Sequence, residues 1–463
     1  MPPEKGASKA DKIEKAPNGT LTSPETAPVE TEPGDGSKLK TFLGILRKFI
    51  GVSDLASIRF SLPAHLLEPT PNLEYWGYLD RPEAFISIGD SEDPTGRMLG
   101  VLRFWFTKDL KYVKGKPCKP YNSTLGEFFR CNWEVEDTLP ELRNPASAPG
   151  SSAASISSAK SAPVPAPLTT KTGGKKIKLS YLTEQTSHHP PVSAWYIDCP
   201  EKDMSARGYD QIAAKFTGTS VRVAAGNHNH GIFISLGKWD EEYQLTHPAA
   251  HVGGLLRGTL SVTVADTCYV TCPQTKTKVI LEYLEDGWLG GAKSRVQGVI
   301  FKYDPDNDIK GQKVKEVAEK DVIARIEGSW MDKIYYTLGS GPVSAADEKH
   351  LIVDLTPLFP VAKDVPPLED QLPNESRRFW NDVTQAILNK QYSLATHHKV
   401  IIEERQRSKA AERKAAEQDW QPRFFTGAVT PVGRPELTKD GLEVLKGLHE
   451  GKFKLEENKE YGA

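Results

Sequence analysis

The chain has 463 residues, 38% of them apolar, which is enough for one large domain or two ordinary ones and ample for a core that encloses a cavity. Lys and Arg total 59 against 61 Asp and Glu, and this net charge of -2 excludes a general attraction to nucleic acid or acidic membranes, so any basic surface is local. Five cysteines, an odd number without a recognisable signal peptide, indicate free thiols in a reducing compartment, and no apolar run approaches the roughly 20 residues of a membrane span.

Residues 1–36 are rich in Pro, Glu, Lys, Thr and Gly and nearly devoid of large apolar side chains, so a disordered N-terminal arm is expected. Residues 37–50 then place Leu39, Phe42, Leu43, Leu46, Phe49 and Ile50 on one helical stripe, with Lys38, Lys40, Arg47 and Lys48 mostly off it. This amphipathic helix either packs on the core or serves as a lid that covers a lipid tunnel or enters a bilayer. Further on, Lys111, Lys114, Lys116 and Lys119 crowd a proline-fixed turn that exposes Asn122 before Leu125-Gly126-Glu127. Taken alone this is a solvated basic loop. Residues 144–174 are Ser, Ala, Pro, Thr and Gly between well-patterned segments, and read as a flexible insertion within the domain.

Strand-like runs at 176–181 and 192–197 flank Glu184-Gln185-Thr186-Ser187-His188-His189-Pro190-Pro191. Two imidazoles followed by two prolines put a pair of switchable donors where the backbone cannot be helical, at a strand end or barrel mouth. Ten strand runs, 211–216, 219–224, 231–235, 258–264, 268–272, 278–283, 297–303, 321–327, 333–338 and 351–355, follow at roughly even spacing without intervening helices. An antiparallel sheet of that size curls or closes, and an apolar interior would make a lipid-sized cavity. Residues 375–388 and 395–420 are helical in composition, and the second places Lys399, Glu403 and Arg407 at i, i+4 and i+8 on one face. A salt-bridge ladder is the ordinary reading of that spacing. The weak amphipathic run 442–448 in the tail receives no role.

The eight residues from Glu184 to Pro191 closely resemble the EQxSHHPP signature of the oxysterol-binding protein family, lipid exchangers that carry a sterol or another lipid one way and phosphatidylinositol 4-phosphate the other. The stretch from Lys119 through Glu127 is similar to the family's KPxNPxLGE motif, departing from it where Ser123-Thr124 replaces the Pro and the residue after it. Lys399 with Glu403 and Arg407 looks like the family's C-terminal helix. The resemblance implies phosphoinositide binding by Lys119, Pro120, Tyr121, Asn122, His188, His189, Lys399, Glu403 and Arg407. It also implies a lid hinge at Leu55, Ala56, Ser57 and Ile58, and a tunnel lined in part by Trp76. Residues 105–113 give no clear match to the family's sterol-anchoring stretch, so phosphatidylserine stands beside a sterol as the second lipid.

The fold expected is mainly β with flanking helices (α+β). It is a large, near-closed antiparallel barrel around a lipid tunnel, with an N-terminal lid at about 37–58, C-terminal helices, a domain over 37–426 and a tail over 427–463. The function expected is exchange of a sterol or other lipid for phosphatidylinositol 4-phosphate between membranes, with a phosphatidylserine exchanger or a non-transporting sensor as alternatives. A hydrolase built on His188 and His189 lacks a third ligand, a nucleophile elbow and a carboxylate partner. No enzyme activity, cofactor, metal or nucleic-acid partner is expected. The chain is expected to be a cytoplasmic monomer that docks peripherally on endoplasmic reticulum, Golgi or plasma membranes.

Overall fold

The computed structural model describes residues 29–31, 34–52, 54–55, 64–114, 119–142, 175–254, 261–285, 294–346 and 348–456. Helix α1 (Asp35–Arg47) leads to a parallel strand pair, β1 (Leu67–Pro71) and β2 (Lys119–Tyr121), which brackets helices α2 (Asn72–Tyr75), α3 (Pro82–Ile86), α4 (Pro94–Thr107) and α5 (Leu110–Lys114). Strands β3 (Phe128–Glu136), β4 (Lys176–His188), β5 (Pro191–Cys199), β6 (Met204–Asp210), β7 (Ile212–Phe216), β8 (Val221–Ala225), β9 (Ile232–Leu236) and β10 (Glu241–Leu245) follow. Next come β11 (Ala250–Gly253), β12 (Ser261–Val264), β13 (Thr267–Cys272), β14 (Thr277–Tyr283), β15 (Arg295–Lys302), β16 (Val322–Ser329), β17 (Lys333–Leu338) and β18 (His350–Asp354). Helices α6 (Ser376–Phe379), α7 (Asn381–Leu388), α8 (Tyr392–Ala415) and α9 (Lys439–His449) complete the order.

Twelve strands form one antiparallel sheet in the order β3-β4-β5-β6-β9-β10-β13-β14-β15-β16-β17-β18, and β7-β8-β11-β12 form a second, four-stranded sheet. The expected class, a mainly β architecture with flanking helices, is thus found. Among the described residues the end strands β3 and β18 do not pair with each other. The segment that follows β18 reaches β3: Val361 N–H donates to the Asp80 carbonyl at 2.8 Å, and Asp364 and Asn132 exchange backbone hydrogen bonds at 2.8 Å each.

Alternation along the strands sorts residues between two cores. In β4, Ile177, Leu179 and Tyr181 join the large inner cluster, whereas Leu182 packs outward under α9 with Val192 and Ala194 of β5 and with Val444, Leu445 and Leu448. The inner face packs around α3 and α4. Helix α4 starts at Pro94 under an Asp93 cap and is buried on every side. Its charges are satisfied internally: Arg97 donates to Glu241 at 2.8 and 2.5 Å, and Arg103 donates to the carbonyls of Ile352 and Pro140 at 3.2 and 2.9 Å.

The expected strands between 211 and 355 are present over the described residues, and β10 and β11 add to them. The helix expected at 375–388 is broken at Trp380 into α6 and α7. Helix α1 begins at Asp35 and ends at Arg47, so Ile50 lies beyond it and is exposed. Leu43, Leu46 and Phe49 pack on Phe216, Val221 and Val252 of the small sheet, while Ile45 meets the cluster of α7 and α8, and Phe42 belongs to both contacts.

Candidate functional site

Strand β4 ends at His188, and a turn through a cis His189–Pro190 bond returns the chain into β5. His188 and His189 are exposed at this tip, with ring centroids 4.6 Å apart. Directly below them, the buried Gln185 side chain accepts from Ser123 Oγ at 2.5 Å and Ser193 Oγ at 2.8 Å and donates to the Ser187 carbonyl at 2.5 Å.

The second segment enters through β2. Lys119 lies opposite Leu67 of β1, and its ammonium donates to Asn122 Oδ1 at 2.6 Å. Pro120 and Tyr121 are buried; the Tyr121 ring lies 4.9 Å from Trp380, and its hydroxyl bonds Thr384 at 3.0 Å. Asn122 is exposed. The turn that follows needs glycine: Gly126 has φ +78°, and the Trp420 ring lies 3.4 Å from where its Cβ would be. Gly126 N–H donates to the Gln185 carbonyl at 3.0 Å and Gln185 N–H to the Glu127 carbonyl at 2.8 Å, so this loop is zipped onto the motif strand. The Glu127 carboxylate accepts from Thr124 N–H, Ser376 Oγ and Trp380 Nε1 at 2.9, 2.7 and 3.0 Å. Burial raises its pKa to about 7 against the pull of those bonds.

The third segment is α8. Lys399 is buried and pairs with Glu403 at 3.1 Å, and exposed Arg407 pairs with the same carboxylate at 3.4 Å. Burial, then the nearby charge of Lys399, brings the Lys119 pKa down to about 8. The fold therefore gathers Lys119, Pro120, Tyr121, Asn122, Lys399, Glu403 and Arg407 in one neighbourhood, and the histidine pair joins it through Gln185 and Ser123.

At the expected lid hinge, Leu55 is buried and its N–H donates to the Ala214 carbonyl at 2.5 Å, while Asp54 accepts from Ala214 N–H at 2.9 Å. The chain there is tied to β7, the edge strand of the small sheet. Ala56, Ser57 and Ile58, and the Leu39 side chain, lie outside the described residues. Trp76 is half-buried in an aromatic group with Tyr75 and Tyr112, ring centroids 5.3 and 5.8 Å away, and its indole donates to Asn72 at 3.2 Å. Sequence reasoning did not single out Ser123, Gln185, Glu127 and Glu184 as organisers of this site. Glu127, Glu184 and Gln185 were visible as members of the quoted motifs and Ser123 as the departure from one of them, but not the partners they hold.

Residues 41–442 match the family model of the oxysterol-binding proteins. The chain is 39% identical to oxysterol-binding protein-like protein 1 of Schizosaccharomyces pombe, over 90% of this chain and 92% of that one. It is 31% identical to human oxysterol-binding protein-related protein 9 over 79% of this chain, which spans only 44% of that longer protein. Among solved structures, the Osh1 ORD domain in complex with cholesterol matches with a TM-score of 0.60 at 19% identity, over 90% of each chain. The Saccharomyces cerevisiae Osh3 ORD in complex with PI(4)P matches with a TM-score of 0.58 at 15% identity, over 93% of this chain and 97% of that one. The chain thus belongs to the oxysterol-binding protein family.

Proposed function

We propose that this protein is a lipid transfer protein that exchanges a sterol or another lipid for phosphatidylinositol 4-phosphate between membranes. The observation that carries the reading is the packing of β2 on α8, where Tyr121 clusters with Leu394, Ala395 and Ile402, which sets Lys119 and Asn122 beside the helix that carries Lys399. Two cations held close enough to repel make an arrangement that an anion completes. A phosphomonoester brings about 1.5 to 2 negative charges and three acceptor oxygens at neutral pH. Lys119, Lys399 and Arg407 grip it by charge, Asn122, His188 and His189 donate around it, and Glu403 holds Lys399 and Arg407 in place. Each cation–phosphate pair at about 4 Å is worth roughly 4 kcal/mol per unit charge pair at an effective dielectric of 20, before desolvation.

Support for a lipid chamber below the mouth comes from Asp109, Asp210, His247 and Tyr283. Protein surrounds each of them, yet each keeps partial accessible surface, as side chains bordering an internal void do. The Osh1 and Osh3 relatives in complex with cholesterol, ergosterol and PI(4)P have the same fold. The reading assigns no bond-making step to the site, and among the described residues no group of His, Cys, Asp and Glu could hold a metal. Among the described residues no helix is long and apolar enough to cross a membrane, so contact with bilayers in this reading is peripheral and transient, through α1 and the mouth of a monomer.

The test is vesicle-to-vesicle transfer of labelled phosphatidylinositol 4-phosphate against labelled ergosterol and, separately, phosphatidylserine. The expected result is phosphoinositide transfer accelerated by a counter-gradient of one of the two lipids, and that lipid is the cargo. Extraction of phosphoinositide without transfer would overturn the exchanger in favour of a sensor.

A further inference from the structure

Motif strand β4 carries two adjacent polar side chains, Glu184 and Gln185, that are almost wholly buried and point to opposite faces of the sheet. Neither reaches the mouth. Gln185 looks toward the lysine turn, where its amide oxygen takes the Ser123 hydroxyl at 2.5 Å, and that hydroxyl also accepts from Asn72 Nδ2 at 3.3 Å. Glu184 looks the other way. Its two carboxylate oxygens each accept a backbone N–H of the segment that follows α8, from Arg423 and from Phe424, both at 2.8 Å. Two residues on, Thr186 Oγ1 donates to the Ala428 carbonyl at 2.6 Å, and the Phe424 ring packs on Phe128 at 4.9 Å. Trp420, just before this segment, lies against Gly126 of the lysine turn.

We propose that Glu184 and Gln185, with Ser123, are positioning residues: the motif strand is the common ruler against which the lysine turn and the segment anchoring the entrance helix are set relative to His188 and His189. This rests on the reading of the mouth as a phosphoinositide headgroup grip, and it gives residues 423–428 a part in that grip. Ser123, at the position where the chain departs from the family motif, supplies the hydroxyl that ties the lysine turn to the ruler. A carboxylate that receives two N–H groups on separate oxygens has no equivalent in an amide, whose NH2 would face a backbone donor. Glu184→Gln therefore removes a side-chain tie on one face and Ser123→Ala one on the other, while the backbone bonds between Gly126, Glu127 and Gln185, the Thr186–Ala428 bond and every cation of the mouth are left in place.

The experiment uses the full chain with Ser123→Ala, Glu184→Gln, the double variant and Ser123→Thr, and it takes two readings. Amide hydrogen exchange without lipid is expected to rise at residues 119–122 and 186–190 in the first three variants, with β14–β16 unchanged. Phosphatidylinositol 4-phosphate extraction from vesicles is expected to weaken about tenfold in each single variant. The ties lie on opposite faces with separate partners, so the losses should multiply to about a hundredfold in the double variant. Ser123→Thr keeps the hydroxyl and should stay near wild type, and binding of the second lipid should change less than about twofold throughout. Unchanged exchange at the mouth, headgroup affinity within about twofold of wild type, or an equal loss for both lipids would each overturn the proposal. Wild-type protein that extracts no phosphoinositide, with exchange still raised at the mouth in the variants, would sink the headgroup reading and leave the ruler standing.

Discussion

The mouth and the deep interior both concentrate ionisable side chains, but they handle charge in opposite ways. Inside, Lys108 pairs with Asp109, and Lys111 stands 3.4 Å from Asp109 and 3.8 Å from Asp80. Burial opposes ionisation of Asp109, yet the two lysines hold its pKa down to about 2. The Tyr78 hydroxyl donates to Asp210 at 2.6 Å, and burial raises Asp210 to about 7. His247 lies 5.8 Å from the Tyr78 and Trp105 rings, and burial, then Lys108, lowers its pKa to about 3, so it is neutral. The interior cancels its own charge. At the mouth, Lys399 and Arg407 share the carboxylate of Glu403, while Lys119 donates to Asn122 and feels the charge of Lys399. Compensated charge suits an uncharged occupant; the surplus at the mouth suits an anion.

The largest effect should come from breaking a compensated pair. Arg130 donates to Glu375 at 3.0 and 3.3 Å with both side chains fully buried, so Glu375→Ala should lower folding stability by about 3–5 kcal/mol in denaturant titrations. Removing charge from the mouth should act on the ligand instead. Arg407→Glu, at the exposed end of the triad, should weaken phosphatidylinositol 4-phosphate extraction by at least about tenfold with little change in melting temperature. Equal losses in stability and binding would erase the contrast between the two regions.

Asp210 sharpens the interior side. A carboxyl whose folded pKa is raised loses stability as pH climbs from its ordinary value toward about 7, so Asp210→Asn should be relatively more stable by about 4 kcal/mol at pH 8 and not at pH 4. Thermal melts across that range would show the widening gap. Lys119 gives the smallest effect, with its own sign. Its folded pKa lies near 8, below the usual lysine value, so it is charged below that pH and loses its proton above it. Headgroup affinity should be full near pH 7 and fall about tenfold by pH 9.5, where the phosphate is already fully ionised. Lys119→Arg, which stays protonated, should flatten that decline in binding titrations.

Much of this was legible in the sequence because the relevant patterns are local. Residues 333–338 alternate cleanly and form β17 with those bounds, and the three cationic segments each carry their motif within a dozen residues. Helix α4 is hidden because it is buried on all sides: with Arg97 and Arg103 inside, it has no polar face to set a period. Strand β6 and strand β10 are masked by Arg207 and by Glu241 and Glu242, whose partners Glu436, Arg97 and Arg434 lie far along the chain. The ties made by Glu184 and Ser123 were illegible for the same reason. A carboxylate inside a motif does not announce that it holds two amides more than two hundred residues away.

Phe42 touches both the small sheet and the α7–α8 cluster, so α1 bridges two independent footings. Lifting it from either one loosens its hold on the other. Helix α1 should therefore behave as a latch with two catches that release together, giving docked and undocked populations with little between them, and whatever disturbs α8 will be felt at α1.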